Sequence, residues 1–215
     1  MTIAHHPEED LLAAFAAGAL DLGQRVAIAT HLAACPSCRD FVRAMERVGG
    51  ALIDEAAPAA LAEGALDRTL ARIAAEPPPA PPRAPRAPHD APDGLPRFVR
   101  AYDFGPWRRV APGVTTQPIL LPEPSPTRVF LLKARGGAKL IEHAHSGVEM
   151  TCVLSGAFRH QGGRYGPGDF DFGDDGVHHE PHIEAGAECV SLVAIQGELR
   201  WQGIIGRLIQ PFVRL

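Results

Sequence analysis

Apolar residues recur at helical spacing along the first third of the chain. Leu11, Leu12, Phe15, Ala16 and Ala19 share one stripe between Pro7 and Leu20. Pro7 suits a first turn, and Glu8, Glu9 and Asp10 lie near the positive end, so a first helix is predicted over Pro7 to Leu20. Asp21 stands where an N-cap is needed for a second helix through Val26, Ile28, Leu32 and Ala34, which Pro36 closes. A third helix is predicted from about Ser37 through Phe41, Val42, Met45, Val48 and Leu52. Pro58 opens a predicted fourth, whose Leu61, Ala65, Leu66, Thr69, Leu70 and Ile73 form an apolar stripe.

From Phe98 onward the pattern changes to short apolar runs separated by Gly and Pro: Val129 to Leu132, Met150 to Leu154, Val190 to Ile195 and Ile204 to Ile209. That spacing predicts an antiparallel barrel or sandwich. Between the two patterns, from Glu76 to Pro96, proline is too dense for helix or sheet to persist, so a semi-extended linker is expected. The fold class is therefore two domains, α plus β. A small helical bundle over residues 1–76 is followed by a linker over 77–97 and a β domain over 98–215. The 215 residues suffice for two modest cores.

A net charge of -4 offers no general attraction for nucleic acid or an anionic membrane, and no local basic patch stands out, so direct DNA binding is not expected. The sequence holds no apolar run of the roughly 18 residues a membrane span needs, and its first residues, MTIAHHPEED, lack the features of a signal peptide. A cytoplasmic location is expected. Thiols stay reduced there, so Cys35-Pro36-Ser37-Cys38 points to metal or redox chemistry rather than a structural disulfide. Cys152 and Cys189 are isolated.

His31 and Cys35 are four residues apart on the second helix and share a face, and Cys38 follows across the turn into the third. His6, just before the first helix, can fold back as a fourth ligand, though His5 beside it is chemically equivalent. The set His6, His31, Cys35, Cys38 is that of a tetrahedral zinc site with no open position for catalysis. Helices this short need such a staple. A thioredoxin-like redox pair is the competing reading, but that motif follows a β-strand, whereas here a histidine-bearing helical run precedes it.

In the β domain, Gly137-x5-His143-x-His145-x3-Glu149-x6-Gly156 resembles the first cupin motif at every position. The second motif is looser, with Gly166-Pro167-Gly168-Asp169 as its turn and His179-x-Pro181 at its far end. His143 and His145 are two apart on extended backbone and so project to one face, while Glu149 returns on the next strand. Of the adjacent His178 and His179 only one can enter the barrel, and the resemblance assigns His179. His160 and His182 are expected at the surface. A His3Glu set leaves one or two positions open on an octahedral ion and suits zinc, manganese, iron or nickel.

His6 followed by His31-x3-Cys35-x2-Cys38 and further helices resembles the zinc-binding anti-sigma domain of bacterial regulators. Joined to the proline linker and the cupin, the chain is similar from end to end to the ChrR family of cytoplasmic anti-sigma factors. The resemblance implies an extracytoplasmic-function sigma factor as partner, with Leu61, Leu66, Leu70 and Ile73 as contact stripe. It also implies a cupin that governs release after singlet oxygen or related oxidants. A separate reading, apart from the resemblance, is a zinc-stapled module that self-associates through the cupin. One departure stands out: family members can carry Cys-x-Cys late in the cupin, whereas this chain reads Cys189-Val190-Ser191. Cys189 is then either an oxidisable thiol or a small hydrophobe in a strand. The rival reading is a metal-dependent cupin oxygenase or isomerase, because open metal positions can hold oxygen and substrate together.

Overall fold

The computed structural model describes residues 2–76, 92, 94–140, 143–174, 180–197 and 199–201. Among the described residues four α-helices come first: α1 (Glu9–Ala16), α2 (Leu22–Ala34), α3 (Pro36–Glu55) and α4 (Ala65–Ala75). A capping box starts α2. The Asp21 carboxylate accepts from the amides of Gly23 and Gln24, and the Gln24 side chain accepts from the amide of Asp21. Cys35 leaves α2 in an extended conformation and caps α3, where Pro36 takes the first position at no hydrogen-bonding cost.

Two helix boundaries differ from the sequence expectation. The first helix ends at Ala16 rather than Leu20, because Gly18 turns left-handed (φ 68°). The amides of Gly18 and Ala19 then bond back to Phe15 and Ala14, closing the helix in a Schellman motif. The fourth begins at Ala65, not after Pro58, because Gly64 also adopts a left-handed backbone (φ 69°) that interrupts helical continuity. Leu61 therefore precedes the helix, and the stripe on α4 is Leu66, Leu70 and Ile73.

Twelve strands follow among the described residues: β1 (Asp103–Phe104), β2 (Arg108–Ala111), β3 (Val114–Leu120), β4 (Thr127–Ala134), β5 (His143–His145), β6 (Glu149–Ser155), β7 (Phe158–His160), β8 (Gly163–Tyr165), β9 (Phe170–Gly173), β10 (His182–Ile183), β11 (Cys189–Gln196) and β12 (Leu199–Trp201). The large sheet runs β1-β3-β4-β11-β6-β9, with β2 also on β3; smaller sheets are β10-β7-β8 and β12-β5. Every described pairing is antiparallel. Three of the four predicted runs are β4, β6 and β11; Ile204 to Ile209 lies outside the described residues.

Strand parity divides the large sheet into two buried faces. Met150, Cys152 and Leu154 of β6, Val190, Leu192 and Ala194 of β11, and Val129 and Leu131 of β4 join one cluster with Leu12, Val26, Ala27, Ile28 and Val42 of the helices. On the opposite face, Val153, Cys189 and Ala134 pack against Phe158, Tyr165 and Ile183 of the three-stranded sheet. The molecule is thus layered as helices, large sheet and small sheet. An antiparallel strand covered on both faces loses its polar alternation, which is why β11 is buried almost throughout. Leu95 and Val99 are also buried, so packing starts before Phe98. No helix among the described residues is long and apolar enough to cross a membrane.

Ile28 is fully buried where α2 meets the sheet. Ile28→Ala is expected to destabilise the chain by about 2–5 kcal/mol, through lost transfer energy and the cavity left behind. Thermal unfolding measures this, and an unchanged Tm would show that α2 does not pack on the sheet.

Candidate metal centre

The turn between α2 and α3 brings four donors together. His31, one turn before the end of α2, is completely buried, Cys35 caps α3, and Cys38 lies in the first turn of α3. The N-terminal segment returns His6 to the same point. Candidate ligand atoms of His6, His31, Cys35 and Cys38 all lie within 4.8 Å of one another. His6 Nδ1 is 3.4 Å from Cys35 Sγ and 3.3 Å from Cys38 Sγ, and His31 Nε2 is 3.3 Å from Cys38 Sγ. Tetrahedral zinc bond lengths place sulfur and nitrogen donors about 3.6 Å apart, so this cage fits the ion in size as well as in donor type. His5, chemically equivalent on sequence grounds, is directed elsewhere and stacks on Tyr165 with ring centroids 4.1 Å apart.

The electrostatics of the cage favour a cation. In its absence, burial pushes the Cys38 thiol up to about 12, and the neighbouring Cys35 reinforces the rise. Burial also draws His31 down to about 4, which keeps the imidazole neutral. Burial opposes ionisation of Cys35 as well, but hydrogen bonds from Ser37 and from Cys38 prevail and bring its thiol below the ordinary value. The result is a neutral His31, a Cys35 thiol that ionises more easily than usual and a Cys38 thiol that needs a positive ion beside it to ionise.

The cupin candidates are less completely described. His143 and His145 lie on β5, which pairs with β12. Glu149 opens β6, and its carboxylate accepts from the Thr151 hydroxyl at 3.0 Å. By strand parity Glu149, Thr151 and Val153 point away from the helices. His179 lies outside the described residues. His182 is half-exposed, but the expectation that His160 lies at the surface is corrected. Its side chain is 9% exposed, with Nε2 3.0 Å from Asp171 Oδ2, and it stacks against Tyr165.

The remaining cysteines are poorly placed for reactivity. Cys152 faces the helices and Cys189 the small sheet, both buried. Burial pushes their thiols up to about 12 and about 11. A thiol alkylating reagent at pH 8 is expected to leave both unmodified in the folded protein and to label both after denaturation; rapid native labelling of Cys189 would contradict this. Because the folded values lie above 9.0, the stability these neutral thiols contribute is fully present below about pH 9. It is lost as the pH climbs toward 11 to 12.

A separate feature is an uncovered apolar surface on the helices. Val48, Leu52 and Ile53 on α3 and Leu66, Leu70 and Ile73 on α4 are all more than half exposed, as is Leu61. No residue of α4 is buried. On α3 the buried residues are confined to Cys38 and Val42, near its start. Sequence reasoning placed Val48 and Leu52 along the third helix without distinguishing them from Phe41 and Val42, and so did not single out their exposure. The available signal was length: at about 1.5 Å per residue, α1 is too short to cover all of α3.

Comparison with known proteins agrees with both halves of the chain. Residues 9–39 match the model of a putative zinc-finger family, and residues 96–197 match that of the ChrR cupin-like domain. The anti-sigma-E factor ChrR of Cereibacter sphaeroides is 38% identical over 219 residues, covering 100% of both chains. In a crystal structure of Rhodobacter sphaeroides SigE in complex with the anti-sigma ChrR, the similar chain superposes with a TM-score of 0.72. It is 35% identical, and the match covers 91% of this chain and 100% of that one. The chain belongs to the ChrR family of anti-sigma factors.

Proposed function

We propose that this protein binds and inhibits an extracytoplasmic-function sigma factor in the cytoplasm and lets it go after an oxidative signal of the singlet-oxygen type. The observation that carries this reading is the uncovered apolar surface on α3 and α4, in a chain whose relative is an anti-sigma factor along its whole length. An amphipathic helix with i, i+4, i+7 apolar positions and no internal partner is the form a groove-binding helix takes. Leu66, Leu70 and Ile73 on one side, and Val48, Leu52 and Ile53 on the other, give two apolar surfaces for the sigma factor. Their burial masks the sigma factor's own polymerase-contacting surface. Leu61, in the segment between the two helices, adds to the same contact.

His6, His31, Cys35 and Cys38 hold zinc in this reading. When bound, the ion cross-links the N-terminal segment to the α2–α3 turn and has no catalytic position. The chain's own residues then fix the angle at which α3 leaves α2, and so where its apolar half points. In the cupin, His143, His145, Glu149 and His179 are the proposed ligands of zinc or another divalent metal such as manganese, iron or nickel. That site is where the release signal acts. The role is regulatory rather than enzymatic. A release signal must favour one state of the complex over the other, so a cupin ligand or oxidant has to change how the cupin meets the helices.

Coexpression of the full chain with a sigma factor from the same genome tests the proposal. The expected result is a stable 1:1 complex whose sigma factor cannot support transcription by the polymerase core. His143→Ala is expected to leave that complex intact and to blunt its dissociation under singlet oxygen. Failure to retain any such sigma factor would overturn the reading.

A further inference from the structure

The zinc cage is not built by the helices alone. His31 Nδ1 lies 2.8 Å from the carbonyl oxygen of Gly168, in the Pro-Gly-Asp turn of the cupin, 137 positions away in sequence. A carbonyl only accepts, so Nδ1 carries the proton and Nε2 presents its lone pair to the cage. The next residue, Asp169, is buried. Its Oδ1 accepts from the backbone amides of Ala4 at 2.7 Å and His5 at 3.0 Å, while Oδ2 accepts from the amide of Gly166 at 2.8 Å. Phe170, following in the chain, donates its amide to the carbonyl of His5 at 3.1 Å. Three successive cupin residues thus orient one candidate ligand and hold the segment that delivers another.

The far end of α2 is fixed to the cupin as well. The Asp21 carboxylate accepts from the hydroxyls of Ser125 and Thr127, each at 2.7 Å. Gly23 sits so close to Thr127 that a Cβ there would collide with the Thr127 carbonyl oxygen and side chain. Since α2 rises about 1.5 Å per residue, Gly23 is about 12 Å from His31, a wedge point remote from the cage.

We infer that the Gly168–Asp169 turn of the cupin is the outer shell of the zinc site, with Asp169 as a positioning residue. Docking of the helices on the cupin and retention of zinc are therefore one coupled equilibrium. Groups that orient metal-bound histidines typically change metal affinity 10–100-fold when removed. Coupling is reciprocal: whatever lifts the helices off the turn loosens zinc by the same factor that zinc loss loosens docking. The inference rests on the proposal that the cage holds zinc.

The test uses the full-length protein, with zinc content established first by elemental analysis and zinc transfer to an excess of a chromogenic chelator then followed in time. Asp169→Ala removes the clamp on Ala4 and His5. Gly23→Ala and Gly23→Val wedge the α2–β4 contact open without touching either the cage or the turn. Asp169→Ala is expected to release zinc at least about 10-fold faster. The wedge variants are expected to do so in proportion to the rise in amide exchange over Val26 to Leu32. In nitrogen-15 spectra the His31 ring should bind metal through Nε2, with a protected Nδ1 proton that becomes exchangeable in all three variants. A general loss of fold would not single out this proton while β11 amides stay protected. If Asp169→Ala disturbs the cupin itself, the wedge variants decide. Wild-type release in a wedge variant whose α2 amides have become exchangeable would overturn the inference. Zinc-free wild-type protein would instead overturn the proposed zinc site beneath it.

Discussion

Cys38→Ser is expected to leave the helical unit without zinc and to abolish capture of the sigma factor. Structural zinc in small domains contributes apparent binding energies of about 10–16 kcal/mol, and removing a thiolate forfeits most of it. The helices have little else to replace it. Leu12, Val26, Ile28, Leu32 and Val42 make up most of their buried apolar side chains, and Ile28 faces the cupin sheet in the shared cluster. Without the ion α1 and α3 lose the cross-link that fixes their angle, and the docking of α2 on the cupin turn, which His31 shares with the cage, loosens as well. Zinc analysis should fall from one ion per helical unit to near zero, and sigma factor should no longer copurify. Cys35→Ser should behave alike, while Cys189→Ser, on the far side of the sheet, should retain both. Persistence of the complex in zinc-free Cys38→Ser would detach binding from the cage.

Placing charge on α4 is expected to separate binding from stability. Leu70 is 54% exposed and Ile73 66% exposed, with no residue of α4 buried, so Leu70→Glu together with Ile73→Glu should change Tm by a degree or so at most. In the complex the same carboxylates would have to be buried against apolar surface. Unpaired buried charges cost about 2–5 kcal/mol each, which corresponds to a loss of affinity of roughly a thousandfold or more for the pair. Val48→Glu with Leu52→Glu on α3 should act in the same direction. Isothermal titration with the purified sigma factor, read beside thermal unfolding, checks this, and unaltered affinity would remove α4 from the interface.

The residues of the cage were legible because metal chemistry imposes spacing. His31 and Cys35 share a face by helix periodicity, Cys38 follows three residues on across the turn into α3, and the capping box at Asp21 fixes where α2 begins. The remoter half of the site was not legible. No local pattern connects Gly168 and Asp169 to His31, since their contact depends on how two packed units meet. A partial signal existed in β11. Its unbroken apolar run from Val190 to Ile195 required cover on both faces, although the sequence does not identify α2 as the second cover. Cys152 illustrates the same limit. Strand parity separates it from Glu149, but only the packed structure shows that Cys152 faces the helices. The start of α4 was misread because Pro58 is a plausible first-turn residue, while the left-handed Gly64 that actually precedes the helix has no distinctive neighbours.

The link between cage and capture is tested most directly by purifying the tag-free full-length chain with a coexpressed sigma factor, then measuring metal and protein stoichiometry on the same complex. Zinc bound through His6, His31, Cys35 and Cys38 should accompany each sigma factor held, and removing that zinc with chelator should free the sigma factor. A complex that survives complete zinc removal, or a pure protein that neither contains zinc nor retains a sigma factor, would contradict it.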